Sequence, residues 1–100
     1  MGHFMEMPGI QVFTTTDGVV GTSGKPIRVF DIILISGGTA SQVIMRNGTT
    51  TGGTPYIQLD GTISKMTTFS SNNGILFKDG CFADVDANTA ELIVSFWQEV

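Results

Sequence analysis

The chain is poor in the residues that most enzymes use for chemistry. Its 100 residues include one cysteine, Cys81, and one histidine, His3. A single cysteine excludes a disulfide within the chain, and we expect Cys81 to be a small buried hydrophobe. A single histidine near the terminus leaves no set for His-based acid–base catalysis or His-ligated zinc. Since no catalytic sequence motif is present either, we expect a protein that is not an enzyme and needs no cofactor or metal.

Charge is scarce as well. Charged residues make up 14% of the chain and the net charge is -4, whereas about a quarter of residues are charged in an average domain. The five basic residues are scattered, so the sequence predicts no nucleic-acid partner and no anionic membrane surface. The longest apolar run, residues 32–35, is too short to span a bilayer. The first residues carry Glu6 and no basic segment, so we expect no signal peptide and synthesis in the cytoplasm.

Turn signals divide the chain into pieces of strand length. Asx-Gly pairs begin at positions 17, 47, 60, 73 and 79, and such pairs tolerate the positive φ of tight hairpin turns. Strand starts about every 8–12 residues indicate a sandwich or barrel rather than alternating strands and helices. We therefore predict an all-β, antiparallel β-sandwich of about eight short strands. It is expected to form one domain over residues 10–100, preceded by an N-terminal arm over residues 1–9.

The strongest predicted strand covers residues 27–36 and is apolar on both faces. Simple alternation assigns Val29, Ile33 and Ile35 to one face and Phe30, Ile32 and Leu34 to the other. A strand covered on both sides is central or lies at an interface. Asp31 interrupts this run, and burying an unpaired carboxylate costs several kcal/mol. We therefore predict a structural ion pair between Asp31 and Arg28 or Arg46.

One segment has the spacing of a cation-binding loop. Asp84, Asp86 and Asn88 alternate as the first ligands of a calcium loop do, but Thr89 and Ser95 stand where the glycine and the bidentate glutamate belong. These three residues are weak metal candidates. The alternative is that they are outward polar positions leading into an Asx turn.

The segment from residue 24 to 100 resembles small virion proteins of tailed bacteriophages, especially those of marine and cyanobacterial phages. The resemblance lies in a Ser-Gly-Gly-Thr-Ala turn at 36–40, an Arg-Asn-Gly-Thr turn at 46–49, a Tyr-Ile-Gln-Leu-Asp-Gly strand and turn at 56–61, a Gly-Ile-Leu-Phe-Lys-Asp-Gly-Cys-Phe hairpin at 74–82 and a final Gln-Glu at 98–99. It implies a jelly-roll-like subunit, often a homotrimer, on a phage particle. It does not distinguish a capsid position from a tail position.

These observations predict a non-enzymatic virion structural protein. We expect a capsid decoration or cement subunit that acts by burying surface between capsomers, and that binds copies of itself and other capsid proteins. The alternative is a carbohydrate- or host-surface-binding β-sandwich module of a tail or head fibre. Tyr56 and Trp97 are the single tyrosine and the single tryptophan, which disfavours sugar stacking. The expected partner contacts are Phe4, Met5, Met7, Ile10, Ile93 and Trp97.

Overall fold

The computed structural model describes residues 6–99. This part of the chain contains eight β-strands. Within this part there is no helix long and apolar enough to cross a membrane. The strands are β1 (Glu6–Phe13), β2 (Gly18–Val20), β3 (Ile27–Ser36), β4 (Ser41–Asn47), β5 (Thr54–Gly61), β6 (Met66–Phe77), β7 (Cys81–Val85) and β8 (Thr89–Glu99).

The strands form two four-stranded antiparallel sheets. Sheet A has the order β1-β8-β3-β6 and sheet B the order β2-β7-β4-β5. Except for the β4–β5 hairpin, successive strands of the chain alternate between the two facing sheets, which is the arrangement of a jelly roll built from two Greek keys. The predicted antiparallel, jelly-roll-like sandwich of about eight strands is confirmed.

The core lies between the sheets and is filled by alternate residues of each strand. On β8, Leu92 and Val94 are completely buried, while their neighbour Ile93 points to the opposite face. On β4 of the facing sheet, Val43 and Met45 are completely buried. Each fully buried aliphatic side chain stabilises the fold by roughly 1.5–3 kcal/mol relative to an exposed one. The remaining buried hydrophobic side chains are Phe13, Val20, Ile27, Val29, Ile32, Leu34, Ile57, Phe77, Cys81, Ala83, Val85 and Phe96.

A β-bulge in β3 changes which residues face the core. The register against both β6 and β8 shifts between Val29 and Asp31, so Phe30 is an extra residue in the strand. Because of this insertion Val29 and Ile32 both point inward, and Phe30 and Asp31 both lie on the outer side. The alternation predicted for this strand is therefore wrong from Asp31 onward, since one inserted residue reverses the parity of every later position.

The Asn73-Gly74 pair does not form the predicted hairpin turn. Ser70 pairs with Asp31 and Ile75 pairs with Val29, so residues 71–74 form an excursion within the continuous strand β6. Gly74 has a φ of 75°, and a Cβ at this position would lie 2.4 Å from the Arg28 Cγ atom. The turns at Gly48 and Gly80 do have positive φ values, 127° and 105°.

Part of the predicted N-terminal arm belongs to the sandwich. Residues 6–9 pair with β8 in the register Glu6↔Glu99 to Gly9↔Phe96, and residues 1–5 of the expected arm lie outside the described residues. Gly9 allows this pairing, because a Cβ there would lie 2.7 Å from the Phe96 ring. β1 lies at the edge of sheet A, where Pro8 and Gly9 are tolerated.

Candidate functional site

The outer side of sheet A is apolar. Its central rows run across all four strands: Val12, Ile93, Ile33 and Thr68 are aligned in one row. Several of its large hydrophobic side chains are exposed, among them Ile10 at 73%. We call this surface the apolar face, and define it by the outward hydrophobic side chains Ile10, Val12, Phe30, Ile33, Ile35, Met66, Leu76, Ile93 and Trp97.

The apolar face arises because β3 and β8 carry hydrophobic residues on both sides. Their inward residues fill the core, and their outward residues Phe30, Ile33, Ile93 and Trp97 remain partly accessible. The rings of Phe30 and Trp97 contact each other with centroids 5.7 Å apart. Soluble monomers rarely expose a contiguous apolar patch of more than a few hundred Å², and larger patches mark interaction sites.

A shallow cleft of about 420 Å³ lies in the middle of the apolar face. Small side chains, Ser70, Ser95 and Thr68, line it beside larger isoleucines, which explains the depression. The volume lies near the lower end of the roughly 300–1,000 Å³ typical of ligand clefts. The lining residues are Ile10, Asp31, Ile32, Ile33, Thr68, Phe69, Ser70, Ile93 and Ser95.

Asp31 lines this cleft and is exposed, so the burial expected from its apolar neighbours is absent. The bulge at Phe30 places the Asp31 side chain on the outer side. The Ser70 hydroxyl donates a hydrogen bond of 2.6 Å to Asp31 Oδ1. Because the Asp31 carboxylate stays in contact with water, folding does not incur the desolvation cost that motivated the predicted ion pair.

The predicted pairing of Asp31 with Arg46 is wrong. Arg46 lies on the outer side of sheet B, where its Nη2 and Nε atoms are 2.9 and 3.0 Å from Asp84 Oδ2. The Arg46 Nη1 atom also donates to the carbonyl oxygen of Gly53 at 3.2 Å. Arg28 does lie on the outer side of sheet A, in register with Trp97, and its Nη1 donates to the Asn73 carbonyl oxygen at 3.4 Å.

The outer side of sheet B is polar, and its polar groups satisfy one another. Besides the Arg46–Asp84 ion pair, the Gln42 Nε2 atom donates to Asp60 Oδ1 at 2.7 Å, and Gln58 Nε2 donates to the same oxygen at 3.4 Å. We call this surface the polar face, and define it by the outward residues Gln42, Ile44, Arg46, Gln58, Asp60, Phe82 and Asp84.

The weak metal candidates do not converge on a common point. Asp84 is engaged by Arg46. Asp86 Oδ1 accepts a 2.6 Å hydrogen bond from the backbone amide of Asn88, which is the Asx-turn alternative. Among the side chains that the structure describes, those of residues 7–99, no three His, Cys, Asp or Glu are grouped so that they could hold a metal ion.

Cys81 is buried in the core, as expected. Burial penalises the thiolate and raises the pKa of the Cys81 thiol to about 12. The thiol therefore keeps its proton at neutral pH and is a poor nucleophile and a poor metal ligand.

The structure brings three of the predicted contact residues together. Ile10, Ile93 and Trp97 lie on the apolar face, whereas Met7 is 55% exposed on the other side of β1, in register with Gln98. Phe4 and Met5 lie outside the described residues. Sequence reasoning missed Val12, although alternation along β1 with Ile10 could have identified it, and it missed the cleft altogether.

Comparison with known proteins yields a likeness of fold. No family model and no curated protein matches the chain. A solved structure described as "Bacillus endospore appendages form a novel family of disulfide-linked pili" is similar over 99% of this chain and 92% of that chain, with a TM-score of 0.59 and 12% sequence identity. At this identity the similarity shows the jelly-roll architecture alone.

Proposed function

We propose that the protein is a non-enzymatic structural subunit of a tailed-bacteriophage particle, a capsid decoration or cement subunit that binds its neighbours by burying surface. The observation that carries the proposal is the apolar face. An exposed surface of this kind, with Ile10 at 73% and Met66 at 63% exposure, is stabilised when a neighbouring subunit covers it. The resemblance of its turns and strands to those of small phage virion proteins supports a location on a phage particle.

Covering the apolar face is favourable, because each Å² of apolar surface removed from water contributes ~25 cal/mol. This gain opposes the about 4–15 kcal/mol that association costs in lost freedom of motion. Repeated copies on a symmetric particle add avidity to each contact.

The structural neighbour supports an assembly role in a limited way. Its description names disulfide-linked pili, and a pilus is an assembly of repeated subunits. In the present chain the single cysteine, Cys81, is buried and protonated, with a pKa of about 12. Cys81 is therefore unsuited to a bond between subunits, and the proposed assembly is held together by non-covalent contacts.

The particle location is tested by protein mass spectrometry of phage particles purified from a lysate on a density gradient. We expect peptides of this chain to peak in the same fractions as the major capsid protein, in a fixed copy ratio to it. A phage enzyme that is not part of the particle serves as the negative control. Abundant protein in the lysate that never enters the particle fractions would contradict the proposal.

The oligomer is tested by sedimentation velocity of the purified chain over about 1–100 μM. We expect a species heavier than the 10.7 kDa monomer, with a trimer implied by the family resemblance. A monomer over the whole concentration range would contradict self-association and would leave binding to other virion proteins as the sole basis of assembly.

A second candidate function is binding of carbohydrate on a host surface, as in a fibre head domain. The observation that favours it is Trp97, which is 43% exposed, contacts Phe30 and shares a face with the hydroxyl-lined cleft. Exposed aromatic rings provide stacking surfaces for apolar sugar faces. A glycan array distinguishes the candidates, because binding that is lost in Trp97→Ala supports this one and an array without signal removes it.

A further inference from the structure

The cleft in the apolar face has an acidic group that a covering partner must satisfy. Asp31 accepts a hydrogen bond from Ser70 through Oδ1. The side chains of Ile10, Ile33 and Ile93 line the same cleft. A partner that covered these isoleucines with apolar groups alone would strip water from the carboxylate without replacing it, which is unfavourable. A matching partner would supply a cation or hydrogen-bond donors at this point, set among apolar side chains.

The chain itself carries such a group in the loop between β5 and β6. Lys65 is exposed, and its neighbours Ile63 and Met66 are exposed hydrophobic residues, at 56% and 63%. We call residues 62–66 the lysine loop. The other two lysines lack this setting: Lys25 follows Gly24 and precedes Pro26, and Lys78 lies between buried Phe77 and acidic Asp79.

The lysine loop is held in one conformation by backbone hydrogen bonds. The Ser64 amide donates to the Gly37 carbonyl oxygen at 2.9 Å, and the Ser36 amide donates to the Lys65 carbonyl oxygen at 3.1 Å. Ser64 has a φ of 54°, a left-handed conformation that is unfavourable for serine. A loop fixed in advance loses little conformational entropy when it docks.

We propose that the lysine loop docks on the apolar face of a second copy of this chain, where Lys65 pairs with Asp31 and the side chains of Ile63 and Met66 cover the isoleucines around it. The inference rests on the proposed function, because it names the neighbour as a second copy and identifies the contact. Charge complementarity carries it: the outer side of sheet A has acids at Asp31 and Glu91, with Arg28 toward the start of β3, and the loop provides a cation flanked by apolar residues.

The positions of the two groups allow the contact to form reciprocally. Met66 is in register with Ile35 on β3, four residues beyond Asp31, which corresponds to roughly 13 Å along the strand. Two copies facing each other across a two-fold axis between these positions form the contact twice. The facing area of four strands is roughly 500 Å² in projection from strand spacing and rise, and the loop adds to it; a standard interface covers ~800 Å² per partner.

A charge-reversal cycle tests the pairing in the full chain. Asp31→Lys, Lys65→Asp and the double variant are compared with the wild type by sedimentation velocity. We expect each single variant to raise the dissociation constant at least ~10-fold and the double variant to return it to within about 3-fold of the wild type. Lys78→Asp is the matched control, an exposed lysine in another loop, and is expected to leave association unchanged.

The outcomes separate this inference from the proposed function. Single variants that associate like the wild type, or a double variant as weak as the two single changes combined, overturn the inference. If Ile93→Asp dissociates the oligomer while the cycle shows no coupling, the apolar face remains the interface and the lysine contact is wrong. If the cycle shows coupling but the protein is missing from phage particles, the contact stands and the proposed location fails.

Discussion

The outer faces of the two sheets have the same architecture and opposite chemistry. Each belongs to a four-stranded antiparallel sheet whose other side fills the same core. On the polar face, the Arg46–Asp84 ion pair and the Gln42–Asp60 hydrogen bond satisfy side chains within the chain. On the apolar face, hydrophobic side chains remain exposed, such as Ile10 and Trp97.

This difference indicates which side of the sandwich a neighbour would cover in the proposed assembly. A face whose polar side chains already bond to one another gains little from being covered, since water already solvates it. A face of isoleucines gains free energy from every Å² removed from water. The comparison therefore favours the outer side of sheet A, rather than that of sheet B, as the surface covered in the proposed assembly.

The largest expected effect is the difference in stability between substituting an inward and an outward side chain of β8. Leu92→Ala removes a completely buried side chain and is expected to lower the free energy of unfolding by about 2–5 kcal/mol. The adjacent Ile93→Ala, on the apolar face, is expected to cost about 1 kcal/mol or less in the monomer. Urea denaturation at a concentration below association measures both, and equal costs would contradict the assignment of the two faces.

The next largest effect is on association, and it is measured by placing an aspartate on each of the two outer faces. Ile93→Asp places a carboxylate on the apolar face, and Ile44→Asp does so between Asp84 and Gln58 on the polar face. We expect the dissociation constant of the oligomer to rise ~100-fold or more for Ile93→Asp, because a buried unpaired charge costs several kcal/mol. Ile44→Asp is expected to leave it unchanged. Sedimentation velocity measures association, and circular dichroism confirms that both variants are folded. The opposite pattern would move the interface to sheet B.

A pH dependence of stability tests whether Cys81, on the inner side of sheet B, is sealed from water. The pKa of Cys81 is raised from 9.0 to about 12. Between these values the unfolded thiol ionises while the folded one keeps its proton, so this group makes stability fall as pH rises. The slope is about 1.4 kcal/mol per pH unit. Cys81→Ala is the control, because the difference in unfolding free energy between the two proteins isolates this group from lysine titration. A difference that does not change with pH would show that Cys81 is accessible in the folded protein.

The smallest effect concerns the pairing on the polar face. The side chains of Arg46 and Asp84 are 17% and 28% exposed, so we expect a coupling near the upper end of the ~0.2–1 kcal/mol measured for surface pairs. A double-mutant cycle of Arg46→Gln and Asp84→Asn, read from urea denaturation, gives this value. Association is expected to be unaffected in all three variants, and a weakened oligomer would show that the polar face also takes part in assembly.

The sequence predicted the features that depend on local chemistry. Asn47-Gly48 and Asp79-Gly80 lie at turns because both glycines adopt positive φ, and dipeptide preference is a local property. The inward residues of β8, Leu92 and Val94, follow from simple alternation. The all-β sandwich follows from the spacing of these strands and turns.

The errors arose where pairing between distant strands decides the structure. The bulge at Phe30 depends on the registers with β6 and β8, and nothing in residues 27–36 alone indicates an inserted residue. The same bulge made Asp31 exposed, so the reason for predicting its ion pair disappeared. Asn73-Gly74 has the composition of a hairpin turn, but its neighbours on both sides pair with β3.

The candidate site was predictable in part. Doubly apolar strands indicated an interface, and alternation selected Ile93 and Trp97. The cleft could not be predicted, because its small residues Ser70 and Ser95 come from strands that are neighbours of β3 in space and distant from each other in sequence. The ion pair on the outer side of sheet B could not be predicted either, because Arg46 and Asp84 are 38 residues apart.

The central claim is that assembly covers the apolar face, and Trp97 reports on it directly. It is the single tryptophan in the chain and is 43% exposed on that face. We predict that its fluorescence shifts to shorter wavelength, and that quenching by acrylamide weakens, over the same concentration range in which sedimentation detects the oligomer. An oligomer that forms while the Trp97 emission and quenching stay at their monomer values would contradict the account.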